Sequence, residues 1–503
     1  MKNYKYIGLL LLSIGVASCD VNNELDIIEA EVIPEVALNK NGLDFSNYVA
    51  VGASFTAGYT DNGLFIAGQE NSFPNILANK FGSDFTQPLM SDNFGGLIAG
   101  GSPVINPLTG NRLFSERLVF VVPGGAGPVP FQSVNPAAMS TTDFALNNPT
   151  GPFNNLGVPG AKSFHLIAPG YGNLANFPAA ANPYAVRMTG DTPNKSILEL
   201  AVDQDPTFFT LSEIGGNDVL GYATTGGDGT NPITDIGTFD FALNKLVDDL
   251  TANGAKGAIG NIPNITSLAF FTAVAYNAVP LDVATAAQLN AGYAAYNGGL
   301  QAAFAALTGT GLLTEEEVAK RTISFSAGQN AVVIVDENLT NLGAINPAFA
   351  TIPQYRQATS ADLITLTAGA ILPTGGGTAL PLSDSFVLTP EEQAEIAAAT
   401  VAYNASISAI ASSKGLALVD LNAVLIEATT TGVTFDNYTM TTSLVTGGLI
   451  SLDGVHLTSR GYAYMANSFL KAIDATYGSN FATATDGLAK AGDYPTNYSP
   501  LLQ

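Results

Sequence analysis

The chain has 503 residues, 47% of them hydrophobic and 12% charged, with 42 acidic against 18 basic side chains and a formal net charge of −24. That acidity argues against a nucleic-acid partner and against electrostatic docking on anionic lipid, while the apolar content excludes a disordered chain. Abundant Gly, Ala, Thr and Asn and the absence of Trp suit an exported globular protein with long, small-residue loops.

The first residues, Met1-Lys-Asn-Tyr-Lys-Tyr-Ile-Gly-Leu-Leu-Leu-Leu-Ser-Ile-Gly-Val-Ala-Ser-Cys19, combine a basic start, a short apolar core and small residues before a cysteine. The run is too short to span a bilayer and is followed by acidic sequence, so residues 1–18 read as a secretory signal. Val16-Ala-Ser-Cys19 resembles the lipobox of bacterial lipoproteins. That resemblance implies cleavage before Cys19, acylation of its sulfur and amine, membrane contact through the lipid, and a place in the bacterial cell envelope, the outer membrane being the expected site. An ordinary signal peptide with a chance cysteine is the alternative; Cys19 is the only cysteine in the chain and lies where a lipobox needs it. With that thiol lipidated there is no intrachain disulfide, so stability must come from a packed core. Loss of Lys2 and Lys5 with the signal leaves 16 basic against 42 acidic residues, or −26.

Residues 19–44 read as the lipidated N-terminus and a tether. Strand-like runs then recur at Tyr48–Gly52, in a short piece before Asn155, and at 207–214, 257–262 and 416–421, separated by helical stretches. Phe239, Ala242, Leu243, Leu246, Val247 and Leu250 fall on one helical face. Thr314-Glu-Glu-Glu317 is a capping box; Thr389-Pro-Glu-Glu392 adds Pro at the first helical position, and that helix should stop at Lys414-Gly415. The pattern predicts an α/β protein: a three-layer α/β/α sandwich around a mostly parallel, flavodoxin-like sheet. One domain over residues 45–478 is expected, with insertions at about 66–150 and 265–388, and residues 479–503 as a C-terminal tail. No later run looks clean enough to span a membrane; the closest, residues 268–281, is broken by Asn277 and Pro280.

Chemistry concentrates in four segments. Gly52-Ala-Ser-Phe55 follows the first strand, Asn155-Leu-Gly-Val-Pro-Gly160 the second and Gly215-Gly-Asn-Asp218 the third, while Asp453-Gly-Val-His456 precedes the last helix. Ligands of an open parallel sheet bind outside the carboxyl ends of its strands, where such turns converge. A serine hydroxyl needs a base to become a nucleophile, and His456 is one of only two histidines.

The series resembles the SGNH/GDSL hydrolase family, over roughly residues 45–478, and Ala57-Gly-Tyr-Thr-Asp-Asn-Gly-Leu64 is similar to the family's sequence after its serine. The resemblance implies a serine ester hydrolase of the esterase/lipase kind working through a Ser-acyl intermediate. Ser54 would be the nucleophile, His456 the general base and then acid, and Asp453 the residue orienting it. The N–H groups of Ser54 and Gly160 and the amide of Asn217 would form the oxyanion hole. No cofactor and no metal is implied, and no convincing metal-ligand cluster is readable. Short-chain or O-acetyl esters, including acetylated glycans, and longer-chain lipids are the candidate substrates. The chain departs from the family at Ala53, where the family has Asp, and at Phe55, where it has Leu; loss of that carboxylate puts the rigidity of the serine turn in question. Ala53 is also what favours the competing reading, a non-catalytic surface lipoprotein that binds glycan or lipid. His165 reads as structural or solvated, Asp218 as a helix cap, and residues 268–281 as core or as an apolar wall for an acyl chain.

Overall fold

Five short runs, buried along nearly their whole length, pair into one all-parallel sheet: β1 (Tyr48–Gly52), β2 (Asn155–Gly157), β3 (Phe208–Ser212), β4 (Lys256–Gly260) and β5 (Ala417–Val419). They lie in the order β5-β4-β3-β1-β2. In this computed structural model residues 35–107, 109–121 and 127–503 are described. The signal-like segment, Cys19 and most of the expected tether fall outside them. Residues Leu38–Gln503 form one unit.

Strands buried on both faces need apolar or small side chains at every position rather than in alternation, which is what Tyr-Val-Ala-Val-Gly supplies in β1. β1 is flanked by β2 and β3, with Gly52 opposite Gly157 on one side and Ser212 on the other. The strand order reverses between β1 and β3, the point at which such sheets open a crevice beyond their carboxyl ends.

The flanking helices follow their sequence signals. They are α1 (Phe73–Phe81), α2 (Ile197–Val202), α3 (Gly216–Thr224), α4 (Ile236–Thr251), α6 (Pro390–Lys414), α7 (Leu421–Thr430) and α8 (Ser459–Tyr477), while α5 (Val283–Ala306) packs in clusters of its own within 265–388. In α4 the six residues of the expected apolar face are the buried ones, and Asp235 caps the first turn by accepting from Thr238 N–H. In α6 the Thr389/Glu392 capping box forms and Gly415 ends the helix in the left-handed conformation. By length and composition α6 is also apolar enough to cross a membrane, which the sequence reading overlooked. Its face bearing Ile396, Tyr403 and Ile407 is instead buried in the core, and Tyr403 stacks on Phe239 of α4. α1 packs on α8, with Phe73 stacked on Phe469, while α2, α3, α4 and α6 form a second packed group.

Three boundaries differ from expectation. The second strand begins at Asn155 rather than before it, its backbone pairing with β1 starting where Asn155 stands opposite Ala50. α1 lies within residues 66–150 yet belongs to the main core. Residues 479–503 are tied down rather than trailing: Phe481 is buried, Tyr498 O–H donates to Ala67 O, and Arg117 donates to Ser499 O. Small clusters around Val332–Ile334 and Leu300–Leu342 organise much of 265–388 outside the five-stranded sheet.

Candidate active site

Ser54 opens a single helical turn, Ser54–Ala57, directly after β1. The turn fits only because its neighbours are small. A Cβ on Gly157 would stand 2.3 Å from Ala57 N, and one on Gly52 would stand 2.6 Å from Ser212 O. Asn155 Nδ2 donates to Thr56 O at 2.9 Å, adding a tether from β2.

Asp453 and His456 face each other across a tight turn, with His456 Nδ1 2.9 Å from Asp453 Oδ2. Asp453 also accepts from the N–H groups of Asn62, Val455 and His456 and from Ser451 Oγ. Burial alone would raise its pKa, but the His456 charge and these donors outweigh burial and hold the carboxyl well below the usual range. Asp453 is therefore a fixed anion, and His456 is fixed through it. The ring of His456 lies 4.7 Å from that of Tyr59 and 5.8 Å from that of Phe55, placing it beside the serine turn. Beneath it Asp61 accepts from Leu452 N–H, and burial pushes that carboxyl up to about 7.

Ser54 and Asn217 line one cavity of about 90 Å³ together with Glu213 and Gly216. Its remaining walls are mostly apolar: Leu220, Ile262, Leu268, Leu425, Val455 and Met465 are among them. Leu268 is thus a wall residue, as one reading of residues 268–281 had it, whereas the next turn supports the Asp453 loop through Phe270 N–H to Gly454 O. The Asn217 amide donates to Ala161 O at 2.9 Å, which joins the third motif to the residue after Gly160. Gly160 itself is exposed and takes a φ of 79°, and a Cβ added there would meet Asn182 Nδ2 at 4.0 Å, an ordinary contact.

The hydroxyl of Ser54 does not reach His456. Among the described residues its hydrogen-bond partner is Glu213, whose Oε1 accepts at 3.2 Å, while Glu213 Oε2 accepts from Thr56 N–H at 3.1 Å. Sequence reasoning missed Glu213, which immediately follows β3. Its signal is a carboxylate at the end of an apolar strand, two residues before Gly215, which opens the third motif. Glu213 also answers the question raised by Ala53: a carboxylate does brace the serine turn, delivered from the neighbouring strand.

Two minor assignments resolve differently from each other. His165 is structural, its Nδ1 accepting from Lys162 N–H and its ring stacked on Tyr171. Asp218 does not cap its own helix. It is buried and accepts from both N–H and Oγ of Ser163, pinning the turn after Gly160, while Gly215 occupies the cap of α3.

Away from this site, oxygens of Glu337, Asp384 and Glu392 come within 4.8 Å of one another, a carboxylate cluster that the sequence reading did not find. Burial, aided by mutual repulsion with Glu337, pushes Asp384 up to about 7 and Glu392 up to about 8. Comparison with protein-family models, curated proteins and solved structures gives no match.

Proposed function

We propose that this chain is a lipid-anchored serine ester hydrolase of the cell envelope, resembling the SGNH/GDSL family, with an α/β/α sandwich as its catalytic domain. The observation that carries the reading is the convergence of three motifs, separated by hundreds of residues, beyond the carboxyl ends of the strands. Ser54 and Asn217 share one cavity, and the Asp453-fixed His456 stands beside the serine turn.

In this mechanism Ser54 Oγ attacks the ester carbonyl carbon and its proton passes to His456. The imidazolium so formed is compensated by Asp453. Asn217, with the N–H groups of Ser54 and Gly160, receives the charge that develops on the carbonyl oxygen. His456 returns the proton to the departing alcohol, and water then repeats the sequence on the acyl-enzyme. The apolar walls favour an ester whose acyl part is apolar.

A second reading, a binding lipoprotein without turnover, is favoured by the resting hydrogen bond of Ser54 to Glu213 instead of His456. A fluorophosphonate probe separates the two. The hydrolase labels at Ser54, and Ser54→Ala abolishes both labelling and p-nitrophenyl ester cleavage. Wild-type protein that neither labels nor turns over such esters excludes the hydrolase reading.

A further inference from the structure

Glu213 is the carboxylate at this site to which the ester mechanism above assigns no task. Its position is built, not incidental. Glu213 adopts a φ of 61°, a left-handed conformation that non-glycine residues avoid, and so turns the chain sharply out of β3. Gly215 follows with a φ of 95°, where a Cβ would meet Ile262 Cδ1 at 2.5 Å. This pair of left-handed residues brings the side chain back over the end of β1, at the point where the strand order reverses. There one carboxylate spans the serine turn, one oxygen on the nucleophile and the other on Thr56 N–H.

We propose that Glu213 is a catalytic residue of this site: it holds the Ser54 hydroxyl at the cavity mouth in the resting enzyme, and its negative charge supports the protonated form of His456 during attack. The inference rests on the ester-hydrolase reading. In the step itself the Ser54 O–H bond breaks and its proton goes to His456, the Oγ–C bond forms, and the carbonyl π pair moves onto oxygen. Glu213 gains no proton; it releases the hydroxyl as the O–H swings from the carboxylate towards the imidazole.

The charged and titratable groups facing Glu213 are few. Its pKa is pushed up to about 7 by burial, against the backbone donors of Phe55 and Thr56, the nearby His456 and the Ser54 hydroxyl. Tyr462, from α8, stands close enough that Glu213 helps to raise the pKa of its phenol. Burial alone accounts for that shift; what marks the carboxylate as more than a brace is its direct hydrogen bond to the Ser54 hydroxyl.

The test compares wild type, Glu213→Gln, Glu213→Asp and Ser54→Ala in the full chain. The readouts are fluorophosphonate labelling, kcat and KM on p-nitrophenyl esters across pH, and thermal melting. Glu213→Gln should keep the fold and KM but lose kcat by about 10²-fold, with the acid limb of its pH profile displaced. Glu213→Asp should recover part of the rate. Wild-type activity that vanishes in Ser54→Ala but persists with an unchanged pH profile in Glu213→Gln overturns the role of Glu213 alone. A Gln variant whose rate falls only in step with its melting temperature, with no recovery in Asp, also overturns it. Absence of wild-type labelling and turnover overturns it together with the ester-hydrolase reading.

Discussion

Asp453 Oδ2 stands 2.9 Å from His456 Nδ1, and the same carboxylate gathers four further N–H and O–H donors. The pair is therefore held from both sides: the acid by its turn and by Asn62, the imidazole by the acid. Asp453→Asn keeps the shape but removes the anion and permits the wrong tautomer of His456. It should fold normally and lose about 10³–10⁴ in kcat, read by steady-state kinetics on a p-nitrophenyl ester.

Asn217 has its amide on Ala161 O in the resting structure, 2.9 Å away, while it lines the cavity with Ser54. Asn217→Ala removes a neutral donor that can turn onto the developing oxyanion. A loss of about 10²–10³ in kcat with little change in KM is expected. Equal losses in KM and none in kcat would place Asn217 in substrate binding instead.

Much of this site is legible from residue order, because Gly52-Ala-Ser54, Gly215-Gly-Asn217 and Asp453-Gly-Val-His456 sit at strand ends or before a helix, where chemistry is exposed. The cap of α6 is legible for a similar reason: it is a local hydrogen bond between residues three apart. Glu213 can be read as a carboxylate at a strand end, but its role cannot, since that depends on a left-handed backbone at that residue and on β3 lying next to β1, a pairing across more than 150 positions. The cavity is hidden likewise: its walls come from the turn after β4 and from α7 and α8, and no local pattern marks Leu425 or Met465 as lining residues. Glu337, Asp384 and Glu392 meet only because the 265–388 segment folds back on α6.

Stability should respond to pH with opposite signs at the two carboxylates. Asp453 has a folded pKa below its ordinary value of 3.8, so its contribution is present above that value and fades as pH falls beneath it. Glu213 is raised from 4.5 to about 7, so its ionisation weakens the fold increasingly across that interval, by about 3 kcal/mol once fully ionised. Glu213→Gln should consequently melt above wild type at pH 8 and level with it at pH 4. Melting curves at those two values check this, and a Gln variant less stable at pH 8 contradicts it.

In the 265–388 segment, Arg356 is buried between Asp336 and Asp362, donating to both, with two bonds of 2.6 and 2.7 Å to Asp362. Arg356→Met leaves two enclosed carboxylates without their cation and should destabilise by about 3–5 kcal/mol. Hydrogen exchange should report the loss first in the strands Val333–Val335 and Tyr355–Gln357, which carry Arg356. Labelling of Ser54 should survive at temperatures where the chain remains folded.

Gly157 and Gly160 lie three residues apart and separate packing from backbone strain. At Gly157 an added Cβ would stand 2.3 Å from Ala57 N, 2.7 Å from Thr56 C and 2.9 Å from Ala53 O, all main-chain atoms that cannot swing away. Gly157→Ala must push the serine turn off the end of β1, costing roughly 1–3 kcal/mol and most of the activity together. At Gly160 an added Cβ would only touch Asn182 Nδ2, at 4.0 Å, but the φ is 79°, so Gly160→Ala costs about 1–2 kcal/mol of backbone strain without a clash. Melting temperature and labelling rate, measured for both, should fall in parallel at Gly157. At Gly160 a labelling rate that falls further than stability accounts for would be the mark of an N–H used by the oxyanion.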